Sequence, residues 1–305
     1  MAFFIRTVLK VIAFAGLLAC APASAADAPP MLASIAAHPA MWTVHGPKGT
    51  IYLFGSIHIL PPNMIWQTPA VDAAMKASDV FVFEIPMDDS TKGDITSFVQ
   101  KNGYLPPKTT LPSLLDAKAQ KDYAQVLTLT HIPGDKLQTM RPWLAALVLD
   151  VSYMMQRHLS PDSGVDRKVY ALATTQGGKT FRAFETPEQQ FALLMPTDRK
   201  LEVAEFDSSL DEILHDQGST GDLIDAWADG DTKRLARLAS EGIKDHPEVQ
   251  KALFTDRNQN WVGQIAKMLD EPHTFFITVG AGHLAGPKGV PALLRAKGYK
   301  VDGPH

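Results

Sequence analysis

One cysteine, Cys20, stands among 305 residues, and it lies in the first apolar stretch of the chain. No intrachain disulfide can form, and no thiol in the body of the chain is available as a nucleophile. A helix needs about 20 apolar residues to cross a bilayer, and no run in the chain reaches that length. Basic residues are scarce as well: 29 Lys and Arg face 33 Asp and Glu, for a formal charge of −4, with no basic stripe, which argues against nucleic acid as a partner. Short catalytic signatures are missing too. There is no His-Glu-x-x-His pair for zinc, and Ser56 follows Gly55 directly rather than sitting in Gly-x-Ser-x-Gly. Gly286-Pro287-Lys288-Gly289 lacks the Gly-Lys-Ser/Thr ending of a phosphate loop.

What is present begins at the N-terminus. Arg6 and Lys10 precede an apolar run over residues 11–21, followed by Pro22 and the small residues Ala23-Ser24-Ala25. This order is that of a secretory signal, with cleavage after Ala25. Leu17-Leu18-Ala19-Cys20 also resembles a lipobox, so the alternative is cleavage after residue 19 and a lipid anchor on Cys20. Either way the protein is expected to be exported, to the periplasm or beyond the cell. Removal of residues 1–25 takes away Arg6 and Lys10 and no acid, moving the formal charge to −6. About 280 residues remain, ample for a large apolar core.

Residues 26–40 are rich in Ala and Pro and read as a tether, and residues 41–305 as a single domain. Met41-Trp42-Thr43-Val44 and Ile51-Tyr52-Leu53-Phe54 flank Gly46-Pro47-Lys48-Gly49, the pattern of a hairpin. Thr68-Pro69 opens a helix to about Ala77. Three further runs, Val80-Phe81-Val82-Phe83, Thr180-Phe181-Arg182-Ala183-Phe184 and Thr274-Phe275-Phe276-Ile277-Thr278-Val279, predict strands. Mostly apolar strands without alternation are buried on both faces, as in a sheet covered by helices. Helical spacing marks residues 111–126, 137–159, 166–175 and several segments between 198 and 269, and a last helix spans 291–297. The expected fold is α/β: a mixed, mostly parallel central sheet flanked by helices, with a helical insertion in the middle of the chain.

Four strands end in a group that binds protons or metals: His58, Glu84, Glu185 and His283. Ligands bind at the carboxyl ends of strands in open α/β sheets, so parallel neighbours would gather all four on one edge. A lone strand-end histidine is more often a packed residue than a reactive one. Two in the same Gly-x-x-His frame, Gly55-Ser56-Ile57-His58 and Gly280-Ala281-Gly282-His283, reverse that expectation. Their glycines are read as allowing sharp turns or close approach. Glu84, after four apolar residues, needs a cation or proton donor beside it. Glu185 has a rival explanation, because Thr186-Pro187-Glu188 reads as a helix start, and for Asp166 a helix N-cap is favoured over a catalytic role.

Taken together, Phe54-Gly55-Ser56-Ile57-His58 with Pro61-Pro62, Phe83-Glu84, Arg141-Pro142-Trp143, Gly164-Val165-Asp166, Glu185-Thr186, Arg257-Asn258 and Val279-Gly280-Ala281-Gly282-His283-Leu284 resemble the TraB/GumN family over nearly all of the mature chain. That family is related to the Tiki proteins, described as metal-dependent proteases with paired Gly-x-x-His motifs. The resemblance implies an active-site role for His58, Glu84 and His283, with His58, Glu84 and His283 as metal ligands, and extends less firmly to Glu185. Arg141 and Arg257 are the matching candidates for an anion clamp or for an arginine that orients Glu84.

Imidazoles and carboxylates suit manganese, cobalt, iron or zinc alike. Such a metal would activate water and polarise a carbonyl. Three readings therefore stand: a metal-dependent hydrolase, perhaps a peptidase; a metal-free hydrolase with a histidine base; and an envelope protein that binds a peptide or saccharide without turnover.

Overall fold

A computed structural model describes residues 33–305, except 197, 217 and 242–246. The signal or lipid-anchor segment lies outside the described residues. Among the described residues no helix is long and apolar enough to cross a membrane. Within the stretch read as a tether, β1 (Ile35–Ala36) pairs in parallel with β4 (Met64–Ile65), and the His38 N–H donates to the Ala228 carbonyl at 2.6 Å.

The hairpin forms where the turn residues put it. β2 (Met41–His45) runs antiparallel to β3 (Thr50–Ser56), with Met41 opposite Phe54 and His45 opposite Thr50. The apolar runs then assemble beside β3. β7 (Thr274–Gly280) pairs with it in parallel, and β5 (Val80–Phe83) pairs in parallel with the other side of β7. β6 (Thr180–Ala183) lies outside β5, and β8 (Lys300–Asp302) lies antiparallel to β2. The six-stranded order is β6-β5-β7-β3-β2-β8, so β7, the last of the parallel strands in the chain, sits between two earlier ones. The four parallel strands share one carboxyl edge. β5 is buried throughout, as its unbroken apolar sequence requires, whereas β6 is an edge strand with Phe181 38% exposed.

Helices cover both faces; those of six residues or more are numbered here. α1 (Pro69–Ala77) starts as expected, with Thr68 Oγ1 accepting from the Val71 N–H. On one face α1, α5 (Val165–Gln176), α8 (Ser219–Ala228) and α9 (Thr232–Glu241) pack on Phe54, Phe81, Phe83 and Phe276. On the other, α10 (Asp256–Met268) and α11 (Val290–Ala296) pack on Leu53, Val82, Phe275 and Ile277. Burying each such side chain stabilises the fold by roughly 1.5–3 kcal/mol.

The helical insertion forms a third apolar cluster from α2 (Asp89–Asn102), α3 (Ala117–Thr130), α4 (Pro142–Gln156), α6 (Pro187–Ala192) and α7 (Arg199–Leu214). It is not contiguous in sequence, because α5 and β6 return to the sheet between its two parts. Two helix starts differ from the periodicity. Residues 111–114 form a 3-10 turn, and α3 begins after Asp116, whose carboxylate caps the Ala119 N–H. The helix expected from 137 begins only at Pro142: Leu137 closes a short helical turn of its own, and Arg141, before the proline, is held extended with ψ at 151°.

Candidate active site

The carboxyl edge brings Glu185, Glu84, His283 and His58 together, in the order of the strands that precede them. All four side chains are nearly or fully buried, as is Arg257, which is 6% exposed. The glycines of the two frames work by clearance rather than by turning. None of Gly55, Gly280 and Gly282 has positive φ. A Cβ on Gly55 would lie 2.9 Å from Ala281 Cβ, and one on Gly282 would lie 3.1 Å from the Phe254 ring. A Cβ on Gly280 would enter the site itself, 3.2 Å from Glu84 Oε1, 3.5 Å from His283 Cδ2 and 3.8 Å from His58 Nε2.

Glu84 needs a cation beside it and has one. Oε1 accepts from the Gly280 N–H at 2.7 Å, while Oε2 accepts from Gln190 Nε2 at 2.8 Å and Arg257 Nη2 at 2.6 Å. Burial alone would push its pKa up, but Arg257, the two imidazoles and the Gly280 N–H outweigh that and hold it at about 2. Gln190 is delivered by α6, whose cap is Thr186, with Thr186 Oγ1 accepting from the Gln189 N–H at 3.2 Å. Glu185 is therefore not the cap. It accepts from Arg257 Nε at 2.8 Å, Arg257 Nη2 at 2.9 Å and Trp261 Nε1 at 2.9 Å.

Arg257 also donates through Nη1 to the Leu253 carbonyl at 3.3 Å and to His283 Nε2 at 3.1 Å. A guanidinium has five N–H donors, and these five bonds use them all. All the donors of Arg257 are thus engaged within the chain, and Glu84 is among their acceptors. A π-helical turn at Lys251–Thr255 leads into α10 just before it, a feature often found at functional sites. The Trp261 ring lies 4.7 Å from the guanidinium carbon and fixes its plane. Arg141 is not part of this cluster. Its guanidinium donates to Glu202 at 3.1 Å and to the Asn102 carbonyl at 3.2 Å, within the helical insertion. The two arginines look alike in sequence, and only the position of Glu202 on α7 separates them.

The histidines differ in the same way. His283 Nδ1 meets Asn258 Oδ1 at 2.6 Å, and Asn258 Nδ2 donates to the Lys288 carbonyl, which orients the amide. His283 is consequently an Nδ1–H tautomer whose Nε2 accepts from Arg257. Burial and the adjacent guanidinium lower its pKa to about 3, so it is neutral. His58 instead directs Nδ1–H to Asp166 Oδ1 at 2.8 Å, and the same oxygen accepts from Ser56 Oγ at 2.8 Å. Burial opposes charge on His58, yet Asp166 and Glu84 outweigh it and raise its pKa above 6.5. Asp166, for which the sequence favours an N-cap over a catalytic role, is not the cap. The cap is Gly164, and Asp166 lies in the first turn of α5 with its carboxylate on His58. Gly164 permits this closeness, because a Cβ there would lie 2.4 Å from the His58 carbonyl oxygen.

His58 and His283 line a cavity of about 30 Å³ with Ser56, Gly280 and Phe254. That volume suffices for about one or two waters. It shares Ala239, Phe254 and Gly282 with a neighbouring cleft of about 190 Å³.

The expected metal set does not fit this arrangement. A protein site for a catalytic divalent ion commonly offers three ligands. Here both nitrogens of His283 are hydrogen-bonded, and it turns a carbon, Cδ2, toward Gly280. Only His58 Nε2 and Glu84 Oε1 face the same point, and no group of three or more His, Cys, Asp or Glu side chains among the described residues has metal-binding geometry.

A mostly parallel sheet with helices on both faces, gathering two Gly-x-x-His frames and a buried Glu–Arg–Glu cluster on one edge, defines a specific class of α/β protein. The chain belongs to the TraB/PrgY/gumN family, whose model matches residues 40–303. It is similar to an uncharacterised protein of Treponema pallidum (strain Nichols), with 22% identity over 281 residues that cover 84% of this chain and 80% of the other. It is also similar to a protein of Amphimedon queenslandica named a metalloprotease TIKI homolog, with 24% identity over 319 residues. That match covers 86% of this chain but only 61% of the relative. No solved structure matches.

Proposed function

We propose that this protein is an exported hydrolase in which His58 moves the proton of an attacking water. Its exported location is supported by the N-terminal charge, apolar run and small-residue order. The observation that carries the chemical reading is the state of His58. Its Nδ1–H is tied to Asp166 at 2.8 Å, while Nε2 has no protein partner among the described residues and lies 3.8 Å from the Gly280 Cβ position, beside a water-sized cavity. Neutral His58 takes a proton from water at Nε2 as the water oxygen bonds to a carbonyl carbon. The resulting imidazolium is stabilised by Asp166 and Glu84, and returns the proton to the leaving group as the bond to it breaks. Gly280 leaves room for the reacting atoms. The Arg257 cluster holds Glu84 in its ionised form.

Turnover of a panel of peptides and esters by the purified protein tests this. His58→Gln should lower the rate by about 10²–10⁴-fold with the fold retained by circular dichroism. Undiminished turnover in that variant would refute the assignment.

A second reading, a metal-dependent peptidase, is favoured by the similarity to the protein named a metalloprotease TIKI homolog. It requires Arg257 to release His283 Nε2 first. Under either reading the neighbouring cleft lined by Ser240, Gln250, Thr255 and Lys288 is the proposed substrate site, and a peptide or other small molecule is the proposed partner.

A further inference from the structure

We infer that Arg257 is the resident cation of this site and that its guanidinium keeps divalent metal out of the paired Gly-x-x-His frames. This deepens the metal-free form of the hydrolase reading, and its test is independent of whether His58 is the base.

The guanidinium stands where a shared cation would stand. Two buried carboxylates and one imidazole nitrogen, groups that would otherwise ligate a metal, all bond to it, at 2.6–3.1 Å. It differs from a metal in being covalently part of α10 and in being directional. Its fork spans Glu185 through Nε and Nη2, Glu84 through Nη2 and His283 through Nη1. Displacing it would break five hydrogen bonds and the stacking on Trp261, whose own ring is held against Phe184 at 5.1 Å. The imidazole is equally committed. Rotating His283 to present a nitrogen to Gly280 would remove Nδ1 from Asn258, whose amide the Lys288 carbonyl holds in the accepting orientation. A divalent ion between His58 Nε2 and Glu84 Oε1 would thus have two protein ligands and a fixed positive charge on the far oxygen of the same carboxylate. Coordination and Coulomb repulsion both oppose it.

The test titrates the purified, chelator-treated chain with Co²⁺ and with Mn²⁺ alone, reading Co²⁺ visible absorption, calorimetry and the thermal midpoint. Wild-type protein is expected to take up no stoichiometric metal and to show no shift in midpoint. Arg257→Met frees Glu84, Glu185 and His283 Nε2 together, and should bind Co²⁺ roughly tenfold or more tightly than wild type, because a unit positive charge beside the ion is gone. Adding Glu84→Gln should abolish that gain. One equivalent of Co²⁺ bound by wild type and lost in His58→Ala would overturn the inference, and so would a folded Arg257→Met that gains no affinity. If Arg257→Met does not fold, the wild-type titration decides alone. Metal-dependent turnover by wild type would remove this inference while leaving a hydrolase. Full turnover in His58→Gln would remove the base assignment and leave the metal titration standing.

Discussion

The two Gly-x-x-His segments end adjacent parallel strands and share one spacing, yet their imidazoles sit in opposite fields. His58 faces an anion, with Asp166 on Nδ1 and the ring's other nitrogen open to the cavity. His283 faces a cation, with Arg257 on Nε2 and a neutral amide on Nδ1. Proton affinity follows: raised at His58, lowered to about 3 at His283. A repeated motif here yields two different parts. One half of the edge sets an imidazole between a carboxylate and a cavity, and the other holds a buried charge cluster. Gly280 stands between them, with both rings within 4 Å of its missing Cβ.

That division is broken most severely by removing the cation. Arg257→Met would strand Glu84 and Glu185, whose side chains are 4% and 9% exposed, without their partner. Deleting one member of a buried ion pair costs about 3–5 kcal/mol, so urea unfolding should show a loss of that order. A loss below about 1 kcal/mol would mean that the carboxylates relax into water and that the His283 half is not a rigid unit.

Asp166→Asn sharpens the other half. The amide keeps the size and removes the charge, so the His58 pKa should fall and its tautomer should lose its bias. A rate loss of about 10²-fold is expected, smaller than that for His58→Gln, with the acid limb of the pH–rate profile moved to lower pH. A profile with its limb unmoved would show that Asp166 does not tune His58.

Much of this edge was legible because it depends on local pattern. Uninterrupted apolar runs specify buried parallel strands, and the one to three residues that follow a strand lie at the sheet edge whatever its neighbours are. Hence Glu84, Glu185, His58 and His283 were found together, and Thr68-Pro69 marked a helix start correctly. What stayed hidden depends on contacts remote in the chain. Asp166 occupies the first turn of a helix, where a carboxylate is expected for reasons of dipole and capping alone. Its second partner appears only because the Val165 N–H donates to the Ile57 carbonyl at 3.0 Å and sets α5 against His58. Arg141 and Arg257 each adjoin a motif residue, and nothing in periodicity tells one from the other. Gln190 and Asn258 carry no signal of their own beyond lying on helices, although Asn258 follows Arg257 in a recognisable pair. The metal expectation followed from residue types, whereas the direction each lone pair takes is a tertiary fact.

The smallest effect reads the two fields through stability. His283 has a folded pKa of about 3 against an ordinary 6.5, so the unfolded chain binds the extra proton as pH falls. Its contribution is present above pH 6.5 and is lost progressively as pH falls toward about 3. His58 has the opposite sign: its pKa is raised, so its contribution is present below 6.5 and is lost as pH rises through the folded value. One proton corresponds to about 1.4 kcal/mol per pH unit. Glutamine at 283 can still accept from Arg257 but cannot protonate. Between pH 6.5 and roughly pH 5, above the range where carboxylates dominate, His283→Gln should therefore lose stability less steeply than wild type, by up to that slope. Parallel curves for the two proteins would mean that His283 takes up its proton in the folded state as readily as in the unfolded one, and that the cation on its Nε2 does not govern it.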